Sequence, residues 1–475
     1  MSKIKSKTVY LCSSCGNDHP KWFGQCPSCK EWGTLSEYKV SKNRAKADNG
    51  QARETRKLED ILIGGEVERV PTGISEMDRV LGGGILPGSL VLLGGKPGIG
   101  KSTLALQILP AFKKPALYVS AEESESQIGL RARRLGVQSD TLHLSSENRI
   151  EGILDQISLI KPELIVVDSI QTIFSAELGS LPGSTSQIRE CGQQLLQLTK
   201  QLNIAIIIIG HVTKEGIIAG PKMLEHMVDT VLYLEGDERH DHRILRSVKN
   251  RFGATNELGI FQMENNGLVQ VDNPSELFLA ERQNDITGSA IFPSLEGSRP
   301  ILVEVQALVS NANFGTPQRN VNGFDFKRLA MLIAVLEKRL GTHMGTNDVF
   351  VNLVGGLKVN DPAADLAVIT AVASAARDQM LSYSVVLIGE VGLGGEVRSV
   401  SRLEIRINEA KSLGFKTVIA PATNVKRISE HLKGIKVSGI SSVVEAFQIL
   451  FNCAREKTWN PPLSVKIDFS QFMNA

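Results

Sequence analysis

Between about Leu58 and Asp272 the chain alternates short apolar runs with longer amphipathic stretches. The runs "SLVLLGG", "ALYVSAE", "LIVVDS", "IAIIIIGH" and "TVLYLEG" are continuous and rich in β-branched residues, which predicts strands buried on both faces. Between them, "ESQIGLRARRLG" and "SQIRECGQQLLQLTKQL" carry helical periodicity. The expected architecture is α/β, a largely parallel sheet with helices on both sides. A second alternation begins near Ser289. Strand-like "ILVEVQALVS", "DVFVNLVGG" and "SVVLIGEVGL" are interleaved with helix-like "FKRLAMLIAVLEKRLG", "AADLAVITAVASAARDQ" and "RLEIRINEAKSLG". The pattern predicts an α+β or α/β domain over 289–475, joined to the first domain (58–272) by a linker at 273–288.

The length, 475 residues, suits two or three domains with separate cores. Hydrophobic residues make up 42% and charged residues 22%, an ordinary globular balance, and no apolar run approaches the ~20 residues of a membrane span. The start, "MSKIKSKTVYLCSSCG", lacks the apolar stretch and small-residue cleavage site of a secretory signal. A cytoplasmic location with reduced thiols is therefore expected. A net charge of +2 argues against wholesale capture of a polyanion, so any basic surface must be local.

Four of the six cysteines form two C-x-x-C pairs in "CSSCGNDHPKWFGQCPSC". Cys12, Cys15, Cys26 and Cys29 can surround Zn²⁺ with thiolates and so fold a small module, residues 1–37, that lacks the bulk for a core of its own. His19 lies among them, but four thiolates already fill the shell. Cys191 and Cys453 sit in apolar, helix-like contexts and are expected to pack rather than react. After this module, "KVSKNRAKADNGQARETRK" has seven basic and two acidic residues and almost no large apolar side chain. Residues 38–57 are therefore expected to form a flexible cationic linker.

The most specific stretch is "GKPGIGKS", which fits G-x-x-x-x-G-K-[ST], follows a predicted strand and opens a predicted helix. Gly95, Lys96, Pro97, Gly98, Ile99, Gly100, Lys101, Ser102 and Thr103 would wrap the phosphates of ATP. Lys101 would reach the β/γ oxygens, and the Ser102 hydroxyl would ligate Mg²⁺. Asp168 ends "LIVVD" at the sheet edge where open α/β folds bind ligands, and supplies the second, Walker B carboxylate for Mg²⁺. In "YVSAEES", Glu122 or Glu123 can polarise the attacking water, while both also suit a helix N-terminus. His211 closes "IIIIGH" at the same edge, placed to sense a γ-phosphate or to serve as a satisfied core histidine.

"KNRFG", residues 249–253, sets Lys249 and Arg251 on either side of Asn250 at the end of an expected strand. This pentapeptide, the four-cysteine start, "GGKPGIGKST" and "YVSAEES" together resemble the bacterial RadA/Sms family of RecA-like ATPases of DNA repair, along nearly the whole chain. The resemblance implies that Glu122 is the catalytic glutamate and that His211 couples the γ-phosphate to the DNA-binding loops. It implies that the segment "VTKEGIIAGPKMLEHMVD" faces DNA through Lys214 and Lys222. It also implies a homo-oligomeric ring, a hexamer, in which Lys249 or Arg251 reaches the neighbour's γ-phosphate or the DNA. The function implied is a DNA-dependent ATPase and ring motor on single-stranded DNA that drives branch migration of recombination intermediates. A recombinase or a replicative helicase would be its protein partner, and the zinc module suits DNA or such a partner equally.

The last domain resembles the proteolytic domain of Lon in "NLVGGLKVNDPAADLAVITAVAS" and "IGEVGLGGEVRSVSRLEIRINEAKSLGFKTVIAP". Aligned with that family's serine–lysine dyad, Ala363 holds the serine position and Glu404 the lysine position. A methyl group cannot attack a carbonyl, so peptidase activity is not expected. An assembly and DNA-contact scaffold is expected instead, with Lys327, Arg328, Lys338, Arg339 and Lys358 available to phosphates. The competing readings are an ATP-dependent peptidase and an ATP-binding switch without motor activity.

Overall fold

The computed structural model describes residues 7–12, 17–40, 57, 59, 68–211, 223–236, 241–255, 257–280, 282–283, 286–312, 316–428 and 434–452. Cys15, Lys214, Lys222 and Cys453 lie outside these residues, as do positions 41–56 of the basic stretch. The chain divides into two compact units, Met1–Val271 and Asp272–Ala475.

The first unit opens with a small antiparallel sheet of β1 (Lys7–Cys12), β2 (Asp18–His19) and β3 (Leu35–Val40), in the order β2-β1-β3. A nine-stranded sheet follows. Its strands are β4 (Leu90–Gly95), β5 (Ala116–Ser120), β6 (Leu142–Ser145), β7 (Leu164–Asp168), β8 (Ala205–His211), β9 (Thr230–Glu235), β10 (His242–Asn250), β11 (Leu258–Glu264) and β12 (Gly267–Gln270). The order is β12-β11-β10-β9-β4-β8-β7-β5-β6. From β9 to β6 every pairing is parallel, and β10 to β12 extend the sheet antiparallel.

The unbroken apolar runs follow from two cores, one on each face. Val91 and Leu93, Val166, and Ile207 and Ile209 pack with Leu104 and Ile128 of the helices Lys101–Ile108 and Glu125–Arg134. Leu90 and Leu92, Ile165 and Val167, and Ile206 and Ile208 pack with Ile153, Ile188 and Leu195 of the helices Ile150–Ile160 and Thr185–Leu202. Alternate residues thus serve opposite layers, and each buried side chain contributes about 1.5–3 kcal/mol.

The second unit holds a seven-stranded mixed sheet. Its members are β13 (Ser289–Glu296), β14 (Arg299–Asn311), β15 (Arg319–Asn322), β16 (Asn347–Leu353) and β17 (Val385–Leu387), with two more strands described below. The short pair β18 (Glu390–Val391) and β19 (Val397–Arg398) stands apart from it. With β20 (Thr417–Pro421) and β21 (Lys436–Ile440) the main order is β15-β16-β14-β13-β17-β20-β21. The sequence reading is corrected at two places here. The stretch 273–288, expected as a linker, carries the helix Pro274–Leu279, started by Asn273 as N-cap with proline at the first helical position. Ser275 ties that helix into the unit by donating to Glu409 Oε1 (2.5 Å) and accepting from Leu302 N (3.0 Å). The run "SVVLIGEVGL" is not one strand but two pieces in different sheets. Gly389 leaves the ladder between them, its N–H donating to Ala363 O and its carbonyl accepting from Leu366 N.

Candidate functional site

β4 delivers the chain to Gly95, and six residues later the helix Lys101–Ile108 begins at the same sheet edge. The loop between them needs glycine at two positions. Gly98 has φ +76° and nothing within 4 Å of where a Cβ would stand, so its backbone faces open space. Gly100 has φ +114°, and a Cβ there would lie 2.8 Å from Met263 Cε. Both conformations are strained for any residue with a side chain. Lys96 and Pro97 are exposed, Ile99 is buried, and Ser102 and Thr103 stand half-buried in the first helical turn. Backbone N–H groups at a helix start, with open space before them, fit a phosphate chain.

Lys101 is only 4% exposed. Its Nζ donates to the carbonyls of Gly95 and Lys96, both at 2.9 Å, and lies 3.2 Å from His211 Nδ1. The other ring nitrogen of His211, Nε2, faces Glu122 Oε1 at 3.6 Å. Ser169 Oγ donates to the same Glu122 oxygen at 2.8 Å. Tyr118, fully buried on β5, donates its hydroxyl to Asp168 Oδ2 at 2.6 Å. Lys101, Glu122, Asp168 and His211 are therefore brought to one place. Glu123 instead pairs with Arg131, so the two glutamates have different partners. Tyr118 and Ser169 belong to the site, yet no motif marks them. Their one signal is a polar group within or just after an apolar strand.

Burial pushes the Lys101 amine down to about 8, and the nearby charges of Asp168 and Glu122 oppose the shift. A triphosphate placed against Nζ favours the ammonium and raises that value again, so nucleotide binding takes up a proton at alkaline pH. ATP affinity should therefore be level below about pH 8 and fall as pH rises beyond it. Calorimetric titration in buffers of different ionisation enthalpy checks both the fall and the proton uptake.

"KNRFG" lies elsewhere. β9 runs parallel to β4, with Val91 opposite Thr230 and Gly95 opposite Leu234, while β10 sets Lys249 against Val231 and Asn250 against Thr230. Lys249 and Arg251 are thus at the edge where β4 begins, roughly 13 Å along the strand from the phosphate loop where it ends. Lys249 Nζ donates to the carbonyls of Glu225 (2.7 Å), His226 (3.2 Å) and Val228 (2.7 Å), at the end of the helix Met223–Met227. Burial, with the Arg251 charge beside it, lowers the pKa of that amine. Arg251 is the open cation, its side chain 51% exposed. It is anchored by Asp229, whose Oδ1 lies 3.5 Å from Nη1 and whose carbonyl accepts from Arg251 N. Asp229 Oδ2 also accepts from Leu90 N, the first residue of β4. Buried Asn250 shapes the turn by accepting from Phe252 N and donating to Leu81 O, and Arg69 holds Phe252 O. Asp229 and Arg69 carry no sequence signal for these tasks.

In the small sheet, the sulfurs of Cys12, Cys26 and Cys29 lie within 4.8 Å of one another. Cys12 Sγ and Cys29 Sγ are 3.6 Å apart, a sulfur cluster that fits Zn²⁺. His19 Nε2 lies 3.5 Å from Cys26 Sγ, placed to donate to that sulfur. Cys191 is buried, its thiol pushed up to about 12 by burial, as befits a packing residue.

In the second unit Ala363 is buried in the short turn Pro362–Ala364, and Glu404 is exposed on the helix Leu403–Ser412. Around Ala363 the polar groups are paired. Asp361 bonds the buried Arg406 at 2.6 Å, and the fully buried Asp365 bonds Arg328. Arg328 also reaches Glu390, so this expected phosphate-facing cation is committed inside its own unit.

Three family models match. The KaiC ATPase model covers residues 70–153, the rubredoxin metal-binding zinc-ribbon model covers 10–37, and the C-terminal proteolytic domain of Lon protease (S16) covers 338–452. A KaiC-like protein from Pyrococcus horikoshii aligns over 43% of this chain and 100% of its own, with 22% identity and a TM-score of 0.37. The fold is accordingly a RecA-like P-loop ATPase core with a zinc ribbon before it and a Lon-type domain after it. Its cofactors are ATP with Mg²⁺, and Zn²⁺. The DNA repair protein RadA of Bacillus subtilis is 49% identical over 456 residues, covering 94% of this chain and 99% of that protein. RadA of Listeria monocytogenes is 47% identical over 453 residues, with the same coverage. On identity of this extent, the chain belongs to the RadA family of RecA-like DNA repair ATPases.

Proposed function

We propose that the chain is a DNA-dependent ATPase that assembles head to tail into a hexameric ring and moves single-stranded DNA, promoting branch migration of recombination intermediates. One observation carries this reading. The phosphate loop and the Arg251 corner lie at opposite ends of β4, so a second copy is needed to bring Arg251 to the nucleotide. Ser102 and Asp168 would hold Mg²⁺, which would supply charge neutralisation to the bound triphosphate. Lys101 leaves its loop carbonyls for the phosphates. Tyr118 orients the Asp168 carboxylate. Glu122, steadied by Ser169, takes the proton of the attacking water. His211 links Lys101 to Glu122, so departure of the lysine is felt at the end of β8, where the segment holding Lys214 and Lys222 begins. Those lysines, with the ring channel, would hold the sugar-phosphate backbone without reading bases.

The test is the steady-state ATPase rate with and without an oligonucleotide. Single-stranded DNA is expected to raise turnover several-fold. Identical rates would replace the motor by an ATP-binding switch.

A further inference from the structure

The zinc ribbon carries two of the chain's three tryptophans, and neither is buried. Trp22 is 60% exposed and Trp32 is 73% exposed. Their arrangement is not scattered. A Cβ on Gly24 would lie 3.5 Å from Trp32 Cζ3 and 3.9 Å from Trp22 Cη2, so both indoles border a single residue that has no side chain. The hairpin beneath them is held by backbone bonds from Gly33 N to Gly24 O, Cys26 N to Glu31 O and Lys30 N to Cys26 O, each 2.8 Å. Gln25 adds a side-chain bond to Lys30 O at 2.8 Å. Phe23, between the two, instead meets His19 edge-on at 6.0 Å, toward the cysteines. Rigid indoles around a bare glycine give a flat ring access at little entropic cost.

We infer that Trp22 and Trp32 form a stacking platform for the bases of single-stranded DNA. Charge favours this occupant. Lys21 and Lys30 flank the indoles and Glu31 is the one acid next to either in the chain, all three exposed. Asp18 and Glu37 are the other exposed acids of the described ribbon, and the strongly cationic stretch that follows Val40 continues the same chain. An unpaired strand offers both exposed base faces and phosphates, whereas a duplex keeps its base faces stacked inside. Stacking accepts any base, as a motor requires. The inference rests on the proposed action on single-stranded DNA and adds a second contact, outside the ATPase core.

The experiment uses the full, zinc-loaded chain and fluorescein-labelled oligo(dT), read by anisotropy. The double substitution Trp22→Ala, Trp32→Ala should weaken binding about tenfold. The slope of log affinity against log salt should be unchanged, because no phosphate contact is lost. Trp22→Phe, Trp32→Phe should restore most of the affinity, which an effect on folding alone would not distinguish from leucine at the same positions. In a Trp459→Phe background all indole fluorescence arises from this pair, and oligo(dT) should quench it with no substitution in the ribbon. Binding of the alanine variant within twofold of the parent, or no quenching, overturns the inference and leaves the surface to a protein partner. If the parent binds no oligonucleotide at all, the proposed function itself fails.

Discussion

Lys101→Ala should lower ATP turnover by at least about a hundredfold, the loss that follows removal of a preorganised charge from a developing phosphate anion. The fold should survive the change. Burial already disfavours the Lys101 ammonium, so its removal relieves a desolvated charge, and the carbonyls of Gly95 and Lys96 that it satisfies can turn to water at the open loop. The melting temperature is therefore expected to stay within a few degrees while single-turnover hydrolysis collapses. Retention of more than a tenth of the parental rate would remove Lys101 from the chemistry.

Arg251→Ala should be about as damaging, and for a reason that mixing can expose. Among the described residues Arg251 stands at the start of β4 and the phosphate loop at its end, so in the proposed ring the two substitutions would disable different faces of a head-to-tail junction. In an equal mixture of Lys101→Ala and Arg251→Ala chains, about a quarter of randomly assembled junctions join an intact loop to an intact arginine. Turnover should recover to about that fraction of the parental level, from a mixture of two nearly inactive proteins. Arg251→Lys should not substitute, because an ammonium lacks the planar fork. Failure to recover after dissociation and reassembly would place the arginine outside the nucleotide junction. Lys249 is the weaker candidate for this task, since its three donors already close the end of the Met223–Met227 helix.

What could be read in the sequence divides along a physical line. The phosphate loop is legible because its contacts are made by one contiguous stretch, with glycines where the backbone must turn. Asp168 and His211 are legible because a charged or ionisable residue ending an apolar strand falls at a known edge of the sheet. The bonds from Tyr118 to Asp168, Ser169 to Glu122 and Lys101 to His211 are not legible, because each depends on which strands lie side by side. The order β5-β7-β8-β4 is set by packing across the sheet, which no local periodicity encodes. The same holds in the second unit. Charge counting takes Arg328 for a surface cation, but Asp365, the first residue of the helix Asp365–Arg377, presents a buried carboxylate that claims it. The different partners of Glu122 and Glu123 are likewise hidden, since Arg131 lies eight residues beyond Glu123 on the next helix.

β4 has one further consequence. At one end its first amide is pinned by Asp229, the residue that also braces Arg251, and at the other end it becomes the phosphate loop. An extended strand locked between two hydrogen-bonded neighbours barely stretches, so it behaves as a short strut. In a closed circle of such subunits, each strut would run from one subunit's own nucleotide to the arginine resting on the next, and six struts would join six nucleotides end to end. A cleavage event at one junction could then push on its neighbour directly, making firing in turn around the circle a matter of mechanics rather than of separate signalling.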